Sequence, residues 1–212
     1  MQVDLNNLGK HYNNKWVFKQ LSYSFKSGKS YAVVGSNGSG KSTLIKILAG
    51  IESSDDGMVL FDNQEEGISN QSLSLCAPYT QAIMEFSALE NLEFAQKFKP
   101  LRNGMSTMDA FNLIPEEKRS KSKELRHLSS GMAQRVKIIL ALLSDVPLIL
   151  LDEPLNNLDE EGYQWYHSLV QQFKGESTLI IASNNKEEYS FCDAFIRIGV
   201  LPLQHGKIQD LS

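Results

Sequence analysis

The sequence predicts an α/β domain built on a mainly parallel sheet, and three observations carry that expectation. Short apolar runs of strand character alternate with segments of helical period, the pattern that lays helices on both faces of a parallel sheet. One run, L-I-L-L at residues 148–151, is apolar without alternation, as a strand covered on both faces must be. A glycine-rich octet, G-S-N-G-S-G-K-S at residues 35–42, sits between a strand and a helix, in the context where such an octet is a binding loop rather than a flexible turn.

Taken in order, residues 3–8, 16–25 and 30–34 read as strands parted by Gly- and Asn-bearing turns. Residues 42–49 have helical period, with Gly50 as the C-terminal stop. D-D-G-M-V-L-F-D-N, residues 55–63, reads as turn, strand and turn. From about residue 90 to 128, helix formers, Met, Lys and Glu take over and clear strands vanish, which marks an inserted helical lobe. Residues 131–143 form a helix with Val136, Ile139, Leu140 and Leu143 on one face. Pro147 breaks the chain before the strand at 148–151, a helix follows over about 161–173, and a further strand climbs to S-N-N at 183–185. No internal repeat or low-complexity segment interrupts this order.

At 212 residues, 42% apolar and 22% charged, the chain has the size and composition of one globular domain. A net charge of −4 gives no electrostatic footprint for nucleic acid, so none is expected as partner. Cys76 and Cys192 are far apart without metal-like spacing, which reads as two free thiols in a reducing compartment. The first residues carry no basic region followed by an apolar one, so no signal peptide is expected. The longest apolar stretch, residues 138–151, is interrupted by Ser144, Asp145 and Pro147 and is too short to span a bilayer. The expectation is a cytoplasmic protein that relies on another subunit for any membrane span.

The octet satisfies G-x-x-x-x-G-K-[ST]. Gly35, Gly38 and Gly40, with Ser36, Asn37 and Ser39 between them, allow a tight loop whose N–H groups point inward at phosphate. Lys41 can reach β- and γ-phosphates, the Ser42 hydroxyl can ligate Mg²⁺, and Thr43 follows at the start of the helix. The strand at 148–151 then delivers D-E-P. Asp152 suits the water shell of Mg²⁺, and Glu153, pointing elsewhere, suits polarising an attacking water. ATP and Mg²⁺ are the ligands that these two segments imply together.

Between them lies L-S-S-G-M-A-Q-R at residues 128–135. Here the chain resembles the ATP-binding subunits of ABC transporters, P-loop NTPases whose signature is L-S-G-G-Q. The resemblance implies an antiparallel N-terminal β part, a RecA-like core over about residues 1–85 and 145–212, and a helical subdomain over about 86–144. It implies an ATPase that closes as a head-to-tail homo- or heterodimer around two Mg-ATP. Ser129 and Gly131 would then serve the γ-phosphate held by the other subunit, although Ser129 also reads as an ordinary helix cap. L-N-N-L-D, residues 155–159, matches the loop that carries Asp159 across the dimer interface. Tyr12 stands where the family puts an aromatic under adenine; the other reading makes Tyr12 an exposed hairpin residue and Trp16 the packing one. Separately encoded permease subunits would hold the chain on the inner face of the membrane. In its brevity, with no regulatory domain expected beyond G-K-I-Q-D-L-S, the chain resembles the smallest subunits of this kind, including those of haem-export type.

Several positions depart from the family. Ser130 and Met132 replace its Gly and Gln. The family's Mg²⁺-sensing Gln has Gln81 as its candidate, yet an ungapped count from F-S-A-L-E-N-L puts Pro78 there. Tyr79, Met84 and Phe86 suit either a groove for a permease helix or the core. Alignment of T-L-I-I-A-S-N-N places Asn184 where the family has a His that touches the γ-phosphate. Asn cannot be protonated, so slow hydrolysis is expected, and a weakly hydrolysing regulatory subunit is the alternative. A soluble relative acting on DNA or ribosomes is disfavoured by the acidic charge and the lack of heptad runs. Nothing in the sequence indicates the transported substrate or its direction.

Overall fold

The computed structural model describes residues 1–64, 68–115 and 121–199. The C-terminal G-K-I-Q-D-L-S lies outside them. Strands β1 (Val3–Tyr12), β2 (Lys15–Phe25) and β4 (Asp56–Phe61) form an antiparallel sheet in the order β2-β1-β4. Strands β3 (Ser30–Val34), β5 (Leu73–Cys76), β6 (Leu148–Asp152), β7 (Thr178–Ser183) and β8 (Ala194–Arg197) form a parallel sheet in the order β5-β6-β7-β3-β8. The α/β class with an antiparallel N-terminal part is therefore as expected.

The β1 strand runs four residues beyond the predicted end at Leu8. Asn7 takes a positive φ of 50° and the register with β2 shifts between Leu5 and Leu8. Such a bulge breaks the apolar alternation from which a strand is read. Asn13 and Asn14 both have positive φ, the geometry of a tight hairpin turn that Asn tolerates. That hairpin sets Tyr12 opposite Lys15 at the end of the pair.

Every residue of β3, β6 and β7 is buried, and alternate residues face two different cores. Tyr31, Val33, Leu148, Leu150, Ile180 and Ala182 pack with β1 and with α1 (Lys41–Leu48). Ala32, Val34, Ile149, Leu151, Leu179 and Ile181 pack on the opposite face. There they meet α4 (Ser130–Leu143) and α5 (Glu160–Phe173). Burial on both faces removes any polar alternation, which is why the strands read as solid apolar runs.

Between β5 and β6 the described residues form no strand, only α2 (Ala88–Gln96), α3 (Thr107–Asn112), α4 and short 3-10 turns. Leu92, Phe111, Ile114 and Leu125 of this lobe share one core with the sheet residues Ile149 and Leu151. The Ser74 hydroxyl of β5 donates to the Ala141 carbonyl at 2.7 Å, so α4 is fastened to the sheet. A final short helix, α6 (Lys186–Tyr189), follows β7. Among the described residues, no helix is long and apolar enough to cross a membrane.

Candidate active site

The glycine-rich loop leaves the buried strand β3 and enters α1 at Gly40, whose φ is 101°. A β-carbon there would lie 2.3 Å from Val17 Cγ1, so both the backbone angle and the close approach of β2 demand glycine. No side chain caps α1. The open N–H groups of its first turn and the positive end of its dipole thus face the loop, as an anion site requires. Lys41 is only 5% exposed; its ammonium donates to the Gly35 and Ser36 carbonyls at 2.9 and 3.1 Å. Arriving phosphate oxygens can take over those bonds.

The loop opens into a cavity of about 320 Å³ lined by Tyr12, Val17, Lys41, Ser42, Thr43 and Glu153, together with Asn37, Gly38 and Gly40. Tyr12 stands at its mouth, its hydroxyl bonded to the Glu52 carboxylate. Trp16 lies outside, against the His11 ring at 5.0 Å. Of the two aromatics weighed from the sequence, Tyr12 is the one beside the phosphate loop.

Asp152 ends β6 and is 1% exposed, yet neither carboxylate oxygen closes a well-formed hydrogen bond. The Ser42 hydroxyl, Lys41 and Lys46 nonetheless act on it, and burial outweighs them, raising the carboxyl above its ordinary value. An orphaned buried carboxylate beside a hydroxyl is a pair of hard oxygen donors and fits Mg²⁺. Among the described residues no group of three or more His, Cys, Asp and Glu could hold a metal alone. Mg²⁺ commonly takes one or two carboxylates and fills its other positions with water and substrate phosphates.

Glu153 takes a left-handed φ of 46°, a strain of about 1 kcal/mol for a residue with a β-carbon. Its N–H donates to the Ala182 carbonyl at 2.9 Å, and its Oε2 accepts from Asn156 Nδ2 at 3.0 Å. The backbone twist turns Glu153 toward the loop cavity, while Asp152 stays buried in the sheet.

At the end of β7 the two asparagines divide their labour. Asn185 caps α6, its side chain accepting from the Glu187 N–H at 3.1 Å. Asn184 Nδ2 reaches across to donate to Asn37 Oδ1 at 2.7 Å. A second cavity of about 380 Å³ lies on that side, between Ser36, Asn184, Tyr189 and Arg197.

The signature segment lines neither cavity. Ser129 caps α4 by accepting from the Met132 N–H at 3.3 Å, and Met132 is buried in the core. A β-carbon on Gly131 would stand 2.8 Å from the Asn157 carbonyl, so glycine lets the L-N-N-L-D loop lie against the start of α4. Asp159 caps α5 through the Gly162 N–H at 2.9 Å and pairs with Arg135 at 3.1 Å.

The family model described as ABC transporter matches residues 18–156, well over half of the 212 residues. The chain belongs to the ABC transporter ATP-binding family. This cassette is 31% identical to the uncharacterized ABC transporter ATP-binding protein YybJ of Bacillus subtilis, over 98% of this chain and 94% of that one. It is 30% identical to the lipoprotein-releasing system ATP-binding protein LolD of Shewanella frigidimarina, over 87% and 84%. Among solved structures, the dimeric bacterial cassette MJ0796 superposes with a TM-score of 0.78 at 23% identity, covering 92% of this chain and 94% of that one. That likeness is one of fold.

Gln81 of the cassette, expected beside the metal, is exposed and lines neither cavity. The turn at Ala77–Thr80 instead carries Tyr79, whose phenol pKa is raised by burial and then by the charge of Asp152. Sequence reading also passed over Asn156, although it lies in the quoted L-N-N-L-D loop. It passed over Glu188 as well, buried at 3% exposure with Oε1 accepting from the Leu155 N–H at 2.8 Å. Only its place four residues after Asn184 hinted at a role. Cys76 and Cys192 are free and buried, which pushes both thiols up to about 12.

Proposed function

We propose that this cassette binds and hydrolyses Mg-ATP to energise a transporter, pairing head-to-tail with a second cassette and docking on separately encoded permease subunits at the inner face of the membrane. The supporting observation is one cavity that gathers Lys41, Ser42, Tyr12 and Glu153, with the orphaned carboxylate of Asp152 buried beside Ser42. The whole chain then acts as one cassette, its core over about residues 1–85 and 145–212 and its helical lobe over about 86–144.

In this reading the Tyr12 ring stacks on adenine, and Gly35 to Gly40 with the first turn of α1 wrap the phosphates. Lys41 exchanges the Gly35 and Ser36 carbonyls for phosphate oxygens. Ser42 and Asp152 would hold the ion, which would supply charge neutralisation for the phosphates. Glu153, oriented by Asn156, accepts a proton from the attacking water. Ser129, Gly131 and Asp159 serve the interface with the second copy.

The second reading, a cassette that binds ATP but hydrolyses it weakly, is favoured by Asn184. One of its two amide hydrogens is engaged by Asn37, and what it can offer the γ-phosphate is a neutral bond with no proton to shuttle. Loss of one such transition-state contact costs roughly 10²-fold in rate. Steady-state ATPase of the wild type and of Asn184→His separates the readings. Slow turnover that rises about tenfold or more in the His variant is expected. A wild type already fast and unchanged by the substitution rules out a rate limit at Asn184.

A further inference from the structure

A buried carboxylate without a satisfying hydrogen bond is costly to fold, so the groups that face Asp152 matter. From α1 these are Ser42 and Lys46, with Lys41 and Glu153 close by. From the loop after β5 it is the hydroxyl of Tyr79. The pairing of Cys76 with Leu151 sets Ala77 level with Asp152, and the chain turns there. The Thr80 N–H donates to the Ala77 carbonyl at 3.1 Å, and the Thr80 hydroxyl both accepts from the Ala77 N–H at 3.0 Å and donates to its carbonyl at 2.9 Å. Pro78 occupies the second position of that turn, where its fixed φ fits.

Lys137 of α4 clamps the same turn, donating to the Ala77 and Thr80 carbonyls at 3.0 and 3.2 Å. The Tyr79 ring is held in its turn by the Lys46 ammonium, 4.7 Å from the ring centroid. A fixed backbone and a cation on the ring are two separate constraints on one side chain, and the Asp152 charge acts on its hydroxyl.

We propose that Tyr79 is a positioning residue of the metal site. Its O–H, which closes no hydrogen bond on Asp152 in this structure, donates to one oxygen of that carboxylate once the ion is bound and fixes it so that the other oxygen faces the ion's water shell. The inference rests on the Mg-ATP reading above and places the loop's metal-side contact at Tyr79 instead of Gln81.

Manganese is the probe. Wild-type chain with a non-hydrolysable ATP analogue is titrated with Mn²⁺ and the free ion is read by electron paramagnetic resonance; fluorescent ATP in EDTA reads metal-free nucleotide affinity. Tyr79→Phe should raise the Mn²⁺ concentration for half-saturation about tenfold, as loss of a hydrogen bond to a charged group predicts, with metal-free affinity within about twofold. Tyr79→Gln, which keeps a donor, should recover most of the loss, and Gln81→Ala should change neither quantity. Wild-type Mn²⁺ affinity in Tyr79→Phe, the tenfold loss appearing in Gln81→Ala, or loss of metal-free nucleotide binding in Tyr79→Phe each overturns the assignment to Tyr79 alone. A wild type that binds no nucleotide overturns the ATP reading itself.

Discussion

Glu188 shows how a single residue carries a cost inside this site. Burial pushes its carboxyl up to about 7, against the smaller downward pull of the Ser183 hydroxyl and the Leu155 N–H, and the charges of Glu153 and Asp152 add to the rise. The folded chain therefore holds a proton that the unfolded chain has released above its ordinary value of 4.5. Stability from this group is untouched below that value, falls as pH rises from 4.5 toward 7, and is lowered by about 3 kcal/mol above it. Glu188→Gln keeps an acceptor for the Leu155 N–H but cannot ionise. Its urea midpoint should exceed the wild type's at pH 8 and converge with it near pH 4.5. Parallel curves for the two proteins would show that Glu188 is solvated after all. Residues of this kind were hidden in the sequence, since a Glu in K-E-E-Y looks solvated until the fold buries it. Lys41, Ser42, Asp152 and Glu153 were legible because loop chemistry and strand ends fix them locally. Tyr79 was not: its role depends on the β5–β6 register, which no local pattern encodes.

At the scale of elements, β3, α1, α4, β6, α5 and β7 were legible from periodicity and solid apolar runs. The four-residue strands β5 and β8 were not, being too short to show a period. The start of α2 had a readable sign in S-A-L-E, where Ser87 and Glu90 close a capping box. What joins the helices needed coordinates. Arg102 is 2% exposed and donates to the Phe173 carbonyl at 2.7 Å, the Ser144 carbonyl at 3.1 Å and the Ser177 hydroxyl at 3.0 Å. Those carbonyls close α5 and α4, where a helix leaves acceptors unpaired. One guanidinium thus ties two helix ends to the approach of β7. Arg102→Ala leaves the Phe173 carbonyl without that donor, whereas the Ser144 carbonyl keeps the Val146 N–H at 3.0 Å; the one orphaned acceptor should cost roughly 1–3 kcal/mol. Urea unfolding measures it; a loss under about 1 kcal/mol would mean that water replaces the guanidinium.

For the whole molecule, the decisive geometry is a separation. The phosphate cavity draws no residue from Ser129 to Gly131, while Ser129 is exposed at the start of α4 with its cap bond made. A site finished by a second copy solves this symmetrically, each cassette lending its signature to the other's phosphate loop, so that both interfaces form together or not at all. Under the head-to-tail reading proposed above, ATP is the adhesive and hydrolysis the release. Glu153→Gln removes the proton acceptor but keeps the loop, Asp152 and the Asn156 contact on an amide oxygen. With Mg-ATP and, where required, its permease, this variant should run as a dimer in size-exclusion chromatography and as a monomer with Mg-ADP. Adding Ser129→Arg should abolish the dimer by placing bulk and charge at the facing surface, with nucleotide affinity of the monomer within about twofold because the cavity is untouched. A double variant that still dimerises would place the contact elsewhere. A Glu153→Gln chain that stays monomeric with Mg-ATP and its permease would leave Ser129 a helix cap and nothing more.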